Sequence, residues 1–391
     1  MINRAYDESS VIRLVDELIA SAIKRSASDI HVEMYPDALR IRYRIDGLLY
    51  DQAPCSAALA PQIISRIKIL ARLNIAEKRI PQDGKFSFLY NNESIDLRVS
   101  TFPSVYGQKI VIRILDRSHM VIALETLGMQ QEMLQKIQDL LCKQSGFFLV
   151  TGPTGSGKTT TLYAALSKLN TAEKNIITLE DPVEYNLASI TQGQIRPESG
   201  FTFACGVRSM LRQDPDVVMI GEVRDKETAR SAIEAALTGH IVLSTVHTND
   251  APSTVMRLMD MGIEPFLLNA ALSGVLAQRL CRKLCIACRF MRTPTKDEQE
   301  LLKKLSCSPE QPIPDARGCE SCFFLGHKGR IGIFELLMMT NELRACIVQQ
   351  PVFATIFNQA RTDGMQPLLE DAKHKFKQGI ISLQELARVV L

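Results

Sequence analysis

The chain has 391 residues, of which 46% are hydrophobic and 23% are charged, and its formal net charge is +3. This length exceeds one ordinary hydrophobic core, which predicts two or three domains. A near-neutral charge does not indicate a strong polyanion-binding field, although it leaves room for a local basic patch. No apolar run reaches the length of a membrane helix and the N-terminus lacks the form of a signal peptide, so we expect a cytoplasmic protein that meets a membrane only through partners.

The first part of the chain predicts a small α+β domain. Apolar residues recur at a helical period in two segments, and apolar and polar residues alternate in several others, as in strands of an antiparallel sheet. The predicted boundaries are 1–116 for this domain and 117–126 for a linker. The helices are predicted at 9–25 and about 61–76, and the strands within 28–50 and at 85–89, 94–100 and 109–115.

From Gly128 onward, short and continuous apolar runs alternate with helical stretches. This pattern is typical of central strands in a parallel sheet that is covered by helices on both faces. It predicts an α/β domain over 127–280, followed by a cysteine-bearing region over 281–330 and a helical C-terminal region over 331–391. The runs lie at 147–150, 176–179, 217–220 and 241–243.

A glycine-rich segment directly follows the first of these apolar runs and directly precedes a helical stretch. Its spacing is that of a Walker A motif, whose backbone N–H groups surround phosphate oxygens at the positive end of a helix. Lys158 would contact the β- and γ-phosphates of ATP, and the Thr159 hydroxyl would ligate Mg²⁺. A glycine-rich turn without a ligand would not explain all these features in register. The predicted nucleotide-binding residues are Gly152, Pro153, Thr154, Gly155, Ser156, Gly157, Lys158, Thr159 and Thr160.

Three later apolar runs end in residues that could act on a phosphate. Because ligands of open α/β sheets bind outside the carboxyl ends of the strands, Glu222 is predicted to hold the Mg²⁺ shell or to activate water. The acids between 180 and 184 could supply the general base instead, and the sequence does not decide between Glu184 and Glu222. His247 lies at the carboxyl end of the fourth run, where it could sense a γ-phosphate, whereas His240 lies at the other end and could pack or contact a subunit.

Four cysteines form two CxxC pairs, Cys285 with Cys288 and Cys319 with Cys322. Four thiolates in this pairing suit a closed, tetrahedral and structural Zn²⁺ site. The redox alternative requires a thioredoxin-like context, which is absent from this sequence. Cys281, directly before the first pair, is not expected to be a ligand. The cysteines outside these pairs are expected to be buried small hydrophobic residues: Cys55, Cys142, Cys205, Cys281, Cys307 and Cys346.

Seven stretches of the sequence carry these and neighbouring motifs in a characteristic order. They are SASDIHVE (26–33), IAEKRIPQDGK (75–85), DLRVSTFPSVYG (96–107), GPTGSGKTTTLY (152–163), TLEDPVEY (178–185), LRQDPDVVMIGEVRD (211–225) and ALTGHIVLSTVHTND (236–250). Over essentially its whole length the chain resembles the secretion ATPases of type II secretion and type IV pilus assembly. The resemblance implies a RecA-like parallel-sheet P-loop motor domain preceded by a smaller α+β domain, with a tetracysteine metal-binding insertion and C-terminal helices.

The resemblance also implies which arginines complete the site. By position they are Arg98 and Arg113 in the first domain, and Arg208, Arg212 and Arg224 are further candidates. A planar guanidinium can stabilise the charge that develops on a transferred phosphoryl group. An ordinary surface cation is the alternative for each of these arginines.

The sequence departs from the family pattern at two positions. Gln108 stands where the family usually has Glu, and Cys205 stands where an arginine is common. These departures leave the catalytic residues in place but weaken a detailed transfer of the arginine network.

The resemblance implies a cytosolic homohexameric ATPase that powers pseudopilus assembly for protein export by type II secretion. Its implied partner is an inner-membrane platform protein, and no nucleic acid is expected. Assembly and secretion ATPases of this family commonly carry the tetracysteine insertion, whereas retraction ATPases lack it.

Other readings stay open. They are a pilus-assembly or DNA-uptake ATPase, a nucleotide-binding scaffold without turnover, and a nucleic-acid translocase. Type II secretion members usually have a further N-terminal domain, and the sequence does not decide whether this chain is a short member or a truncated one.

Overall fold

The structure is a computed structural model, and it describes residues 8–115, 122–349 and 351–390. The chain divides into two units, Met1–Met120 (unit 1) and Val121–Leu391 (unit 2). Half of the predicted linker, 117–121, lies outside the described residues, and Leu124–Thr126 forms a short 3₁₀ turn. Within the described part of the chain, no helix combines the length and the apolar character needed to cross a lipid bilayer.

The described part of unit 1 consists of two α-helices and one antiparallel sheet. The strand order is β3-β2-β1-β7-β6-β5, and β4 pairs with β2. Strand β2 alternates buried apolar residues with more exposed arginines, and the Tyr43 hydroxyl of its buried face donates a hydrogen bond to the Leu18 carbonyl of α1 at 2.8 Å. The elements are α1 (Glu8–Lys24), β1 (Ala27–Met34), β2 (Ala38–Ile45), β3 (Leu48–Asp51), β4 (Cys55–Ser56), α2 (Ala60–Leu70), β5 (Gln82–Tyr90), β6 (Glu93–Ser104) and β7 (Gly107–Leu115).

Helix α2 is shorter than the sequence predicts. The predicted helix over about 61–76 ends at Leu70, and Arg72 adopts a left-handed backbone conformation with φ of 56°. The Asn74 side chain then accepts hydrogen bonds from the N–H groups of Ala76 at 3.0 Å and Glu77 at 3.4 Å. This local turn competes with helical hydrogen bonding, which explains why the apolar periodicity overestimates the helix.

Unit 2 contains a mainly parallel sheet with the strand order β10-β9-β11-β12-β8-β13-β16. Each strand from β10 through β9, β11, β12 and β8 to β13 pairs in parallel with its neighbour. Strand β16, at the edge of the sheet, pairs with β13 antiparallel. Its first part contains α3 (Gln131–Leu141), β8 (Gly146–Thr151), α4 (Lys158–Leu169), β9 (Ile176–Glu180), β10 (Thr191–Gln194), α5 (Phe203–Met210), β11 (Val217–Ile220), α6 (Lys226–Leu237), β12 (Ile241–Val246), α7 (Ala251–Asp260) and α8 (Pro265–Ala271). Its second part contains β13 (Leu272–Leu284), β14 (Arg289–Arg292), α9 (Lys296–Lys304), β15 (Ile313–Ala316), β16 (His327–Met338), α10 (Asn341–Gln349), α11 (Phe353–Thr362), α12 (Leu368–Lys377) and α13 (Leu383–Val390).

Apolar cores lie on both faces of this sheet. In β8, Phe147 and Leu149 belong to one buried cluster, and Phe148 and Val150 belong to another. Successive side chains of a strand point to opposite faces, so a strand that is apolar at each position must be covered on both sides. Strands β9, β11 and β12 are likewise buried at each position, so the four predicted apolar strands are confirmed.

The cysteine-bearing region is inserted between two strands of the same sheet. The predicted divisions at 280/281 and 330/331 fall inside β13 and β16. Residues of this region, such as Cys281 and Leu302, share a buried cluster with Phe376 and Leu386 of the C-terminal helices. The predicted boundaries follow a change in sequence composition. In the structure, strand pairing and this shared core join residues 281–391 to the sheet.

Lys68 of α2 is buried in unit 1, with 1% of its surface exposed. Its ammonium donates hydrogen bonds to the Glu77 carbonyl at 2.6 Å and to Gln108 Oε1 at 3.0 Å. Burial lowers the pKa of Lys68, and the charge of Glu77 opposes that shift. The Nε2 atom of Gln108 is buried without a hydrogen-bond partner. The glutamine therefore leaves a donor unsatisfied beside a buried cation.

Replacing Gln108 by Glu should stabilise unit 1. The substitution removes the unsatisfied donor and turns a hydrogen bond between the Lys68 ammonium and a neutral amide into an ion pair, so we expect the free energy of unfolding at pH 7 to rise by about 1 kcal/mol. Urea unfolding of the full chain, with hydrogen exchange in α2 and β7 as the local probe, measures this change. The control is Gln62→Glu, which adds the same charge at an exposed position of α2. A less stable Gln108→Glu variant would mean that burying a second charge outweighs the new ion pair.

Candidate functional site

The candidate site is at one edge of the parallel sheet in unit 2. Strands β9, β11, β12 and β8 are neighbours in this order, and each runs in the same direction. Their carboxyl ends therefore share an edge, which is where ligands of open α/β sheets bind. The glycine-rich loop follows β8, Glu222 follows β11, and His247 follows β12.

The glycine-rich loop has backbone conformations that favour glycine. Gly155 and Gly157 have φ angles of 79° and 88°, a left-handed region that costs side-chain-bearing residues energy. Helix α4 begins at Lys158, so its positive N-terminal end faces the loop. Of the predicted binding residues, Pro153, Thr154, Gly155 and Thr159 are exposed, Gly157, Lys158 and Thr160 are partly buried, and Gly152 and Ser156 are buried.

Lys158 is folded across this loop. Its Nζ donates hydrogen bonds to the carbonyl oxygens of Gly152 at 2.8 Å and Pro153 at 3.2 Å. Burial lowers the pKa of Lys158, Glu222 opposes that shift, and Arg279 adds to it. The ammonium is thus held over the loop by carbonyl oxygens that a phosphate oxygen could replace.

Glu222, His247 and Lys158 form a contiguous set. Glu222 Oε2 lies 3.5 Å from His247 Nε2, and His247 Nδ1 lies 3.5 Å from Lys158 Nζ. Burial lowers the pKa of His247, Lys158 lowers it further, and Glu222 opposes both. Arg224 forms an ion pair with the same carboxylate. A carboxylate, a neutral imidazole and an ammonium are therefore brought together from three strand ends.

The acids after β9 separate into two environments. Glu180 is 3% exposed and accepts hydrogen bonds from Tyr163, from Thr178 Oγ1 at 2.7 Å and from Gln192 Nε2 at 3.0 Å. Such a fully bonded and buried carboxylate holds the fold together and is not available to a substrate. Glu184 is exposed on the following loop. The structure gives Glu222 a contact with His247 and gives no such contact for Glu184.

Threonine hydroxyls join the loop after β12 to the end of β8. Thr151 Oγ1 accepts a hydrogen bond from the Thr248 N–H at 3.0 Å and lies 2.7 Å from Thr248 Oγ1, which in turn lies 2.7 Å from Thr254 Oγ1. The Arg279 guanidinium also donates to the Asn249 carbonyl at 2.6 Å. These contacts hold the residues next to His247. These threonines are not among the predicted site residues, although a hydroxyl at the end of a buried apolar strand needs a partner and is a usable signal in the sequence.

His240 belongs to the opposite edge of the sheet. Its Nδ1 lies 2.9 Å from the Ala235 carbonyl and 3.1 Å from Thr238 Oγ1, at the end of α6. These contacts agree with the packing alternative and keep His240 away from the candidate site.

Arg98 and Arg113 are cross-strand neighbours on β6 and β7 of unit 1. They line a hollow of 560 Å³ together with Asp83 and Lys85. Arg113 Nε donates to Asp29 Oδ1 at 3.2 Å, and its side chain stays 65% exposed. The hollow is therefore a cationic surface on which the arginine heads are open to solvent.

The further arginine candidates have partners within unit 2. Arg208 forms an exposed ion pair with Glu227, and Arg212 donates to the Arg208 carbonyl at 2.7 Å. Arg224 is the candidate that contacts Glu222. Among these three, Arg224 is therefore the one in contact with the candidate site.

The four paired cysteines come together in the inserted region. Their sulfur atoms all lie within 4.8 Å of one another. Cys285 and Cys319, Cys288 and Cys322, and Cys319 and Cys322 are separated by 3.8, 3.9 and 3.8 Å. Four thiolates about 2.3 Å from a central metal ion in a tetrahedron would lie about 3.8 Å apart, so the arrangement fits such an ion. Burial opposes ionisation of Cys322, but hydrogen bonds from the N–H groups of Cys319 and Gly326 bring its pKa to about 7.

The other cysteines only partly follow expectation. Cys281 is buried, burial raises its pKa to about 12, and it is not part of the cluster. Cys142 and Cys205 are exposed, so the expectation of burial is wrong for them, and Cys55, Cys307 and Cys346 are only partly buried. Cys142 directly follows the last residue of α3, and Cys205 lies on the exposed side of α5, so neither faces the core.

Known proteins resemble this chain over nearly its full length. A sequence profile of the family described as "Type II/IV secretion system protein" matches residues 4–388. The chain is 46% identical over 383 residues to "Type II secretion system protein E" of Klebsiella pneumoniae, covering 98% of this chain and 76% of that protein. It is 44% identical over 385 residues to "Type II secretion system ATPase E" of Vibrio cholerae serotype O1, with the same coverage of both chains.

Solved structures resemble it in fold. The Legionella pneumophila ATPase DotB has a TM-score of 0.71 at 23% identity and covers 97% of this chain and 95% of its own. The pilus retraction motor PilT, solved with bound ADP, has a TM-score of 0.62 at 24% identity and covers 96% of each chain. These likenesses confirm the predicted fold class.

The contacts of His247 predict opposite responses to two substitutions. Lys158→Met removes a cation and should move the His247 pKa upward, toward the ordinary value, whereas Glu222→Gln removes an anion and should move it further down. Because the folded pKa lies below the unfolded one, the stability linked to His247 is present above the unfolded pKa of about 6.5 and decreases as the pH falls below it.

Histidine-labelled NMR titration of the full chain measures these shifts, with His247→Asn to assign the resonance. Lys168→Met, at the far end of α4, is the control and should leave the midpoint unchanged. If the His247 pKa moved in the same direction in Lys158→Met and Glu222→Gln, or moved in neither, the contacts described for His247 would be contradicted.

Proposed function

The chain belongs to the family of Type II/IV secretion system proteins, and on that premise we propose that it is the ATPase that powers pseudopilus assembly in a type II secretion system. The observation that carries the proposal is the convergence of the glycine-rich loop, Glu222 and His247 at one edge of the parallel sheet. Hydrolysis of a nucleoside triphosphate uses a phosphate-binding loop and a residue that orients the attacking water, and a nearby imidazole can hydrogen-bond to a phosphate oxygen.

The nucleotide would be held by residues 152–160. The N–H groups of the loop and the positive end of α4 suit the phosphates, and Lys158 can exchange its two carbonyl contacts for phosphate oxygens. The exposed Thr159 hydroxyl at the start of α4 is available as a ligand for Mg²⁺. Mg²⁺, when bound, neutralises charge on the phosphates.

Glu222 is our proposed residue for polarising the attacking water. Its carboxylate is 15% exposed, contacts His247 and lies within the electrostatic reach of Lys158, whereas Glu184 is exposed and remains the alternative. His247 is proposed to sense the γ-phosphate, since its lowered pKa keeps the imidazole neutral and able to donate one hydrogen bond and accept another. Arg98 and Arg113 are proposed to add positive charge during hydrolysis.

The tetracysteine cluster is proposed to hold a structural Zn²⁺ ion. The sulfur separations match a tetrahedral shell, and four protein ligands leave no position for a substrate. The ion would cross-link the two CxxC turns and brace the insertion between β13 and β16. No catalytic role is proposed for it.

The assembly and its partners are proposed from the family. We propose a cytoplasmic homohexamer that reaches the inner membrane through a platform protein and uses no nucleic acid as its substrate. The relatives named for type II secretion favour that machine over the alternative, pilus assembly or DNA uptake. A scaffold without turnover and a nucleic-acid translocase are less well supported, because Glu222 and His247 are in contact and the net charge is only +3.

Glu222→Gln should abolish hydrolysis and spare ATP binding. Loss of the carboxylate removes the group that accepts a proton from water, so we expect the hydrolysis rate to fall by about 10²- to 10⁴-fold with ATP affinity within about threefold of the parent. Phosphate release and nucleotide titration measure the two quantities. Glu234→Gln, exposed on α6, is the matched control, and Glu184→Gln tests the alternative base.

Unchanged turnover in Glu222→Gln would remove the proposed role of this residue, and a larger loss in Glu184→Gln would transfer it. The same Glu222→Gln chain, trapped with ATP in its native cells, should co-purify a type II secretion platform protein. A pilus platform protein would change the machine but not the chemistry, and a soluble complex without a membrane partner would contradict the proposed machine.

The purified chain should contain one Zn²⁺ per molecule. Cys288→Ser and Cys322→Ser should lose the metal and speed hydrogen exchange in β14 and β15, because the ion is proposed to hold the turns that flank these strands. Elemental analysis and hydrogen-exchange mass spectrometry measure both effects. Cys346→Ser, outside the cluster, should keep the metal. Full metal content in the two cluster variants would contradict the site.

A further inference from the structure

Gln278 is a polar residue in the middle of the buried strand β13. It is 2% exposed, and its neighbours Leu276 and Ala277 are fully buried. Strand β13 lies beside β8, and Ala277 pairs with Thr151, the last residue before the glycine-rich loop. A buried amide in such a strand requires hydrogen-bond partners, and these reveal its role.

Both ends of the Gln278 amide have partners at the nucleotide loop. Nε2 donates a hydrogen bond to the carbonyl oxygen of Ser156 at 2.6 Å. Oε1 accepts a hydrogen bond from the hydroxyl of Thr161 in α4 at 2.7 Å. Thr161 is 2% exposed, so both contacts are shielded from water. The threonine hydroxyl thereby keeps the donor end of the amide directed at Ser156.

The Ser156 carbonyl belongs to the same peptide group as the Gly157 N–H. In a trans peptide these two groups point in opposite directions. Gly157 has a φ of 88°, a conformation in which a peptide without an anchor can rotate at low cost. A hydrogen bond to the carbonyl from the side of β13 therefore directs the N–H away from β13.

The start of the loop also rests on residue 278. A Cβ atom at Gly152 would lie only 2.4 Å from the Gln278 carbonyl oxygen, so the backbones approach as closely as glycine allows. Gln278 thus contacts the loop through its backbone at Gly152 and through its side chain at Ser156. In the sequence, Gln278 lies outside the segments that carry the glycine-rich loop, Glu222 and His247.

We propose that Gln278 is a positioning residue that holds the Gly157 N–H in the direction of the nucleotide phosphates. The inference rests on the proposed function, in which residues 152–160 bind ATP. Gln278 itself would touch neither nucleotide nor water, and acts only through the peptide that joins Ser156 to Gly157.

This positioning role predicts a specific change in the kinetic constants. The loop N–H groups bind phosphate oxygens both before and during hydrolysis, so misdirecting one of them removes binding that the ground state and the transition state share. Loss of Gln278 should therefore raise KM for ATP and weaken ADP binding by similar factors while kcat changes little. A residue that only supports the fold would reduce the active fraction without this split.

The experiment compares Gln278→Glu and Gln278→Met in the full chain. The first keeps the shape but replaces the donor with an acceptor that repels the Ser156 carbonyl, and the second removes the donor without adding charge. We expect ADP affinity, measured by calorimetry, to fall about tenfold to hundredfold, KM to rise by a similar factor and kcat to stay within about threefold. Thr161→Val should produce a smaller change in the same direction. Gln349→Glu, exposed at the end of α10, is the control.

The outcomes separate the inference from the proposed function. If the parent chain binds no ADP, the proposed function fails. If the parent binds ADP and Gln278→Met binds it within twofold of the parent, the inference fails while the function stands. A fall in kcat with unchanged ADP affinity would also overturn the inference. Should Gln278→Glu not fold, Gln278→Met and Thr161→Val decide by the same measurements.

Discussion

The parallel pairing of β9, β11, β12 and β8 is the constraint on which the candidate site depends. Parallel neighbours have their carboxyl ends at one edge, and each strand is buried on both faces by helices. Because the strands themselves are buried, side chains open to a ligand lie where the strands end. The glycine-rich loop, Glu222 and His247 lie together for this reason, although more than sixty residues separate the loop from Glu222.

Polar groups next to the candidate site join the loops at this edge through hydrogen bonds. Thr151 and Thr248 join the ends of β8 and β12 through their hydroxyls, and Gln278 holds the loop from β13. Thr151 and Gln278 are buried, Thr248 is partly buried, and all three have hydrogen-bond partners, so these polar contacts favour one arrangement of the loops instead of costing stability. The positions of the more exposed site residues therefore depend on hydrogen bonds made by residues behind them.

Strands β13 and β16 connect the sheet to the insertion that carries the tetracysteine cluster, and the C-terminal helices pack against this region. Strand β13 passes Gln278, ends at Leu284 and continues directly into Cys285. The helices that cover it bring buried charges with partners: Glu385 accepts two hydrogen bonds from Arg282, and Asp371 pairs with Lys375 and accepts the Phe334 N–H at 2.8 Å. Removing one partner of such a pair would leave a buried charge, which is costly, so these contacts specify how the helices dock.

The sequence by itself determined the features that depend on neighbours in the chain. A strand, a glycine loop, Lys158 and a helix in register predict a phosphate site, and two CxxC pairs predict a metal site, because local spacing is sufficient for both. The tertiary structure alone decided which distant groups meet. It buried Glu180 behind Tyr163, brought Glu222 to His247, ended α2 at Leu70 and joined β13 and β16 to the sheet. Gln278 shows the reason most clearly: its partners lie more than a hundred residues away, and only strand pairing brings them within hydrogen-bonding distance.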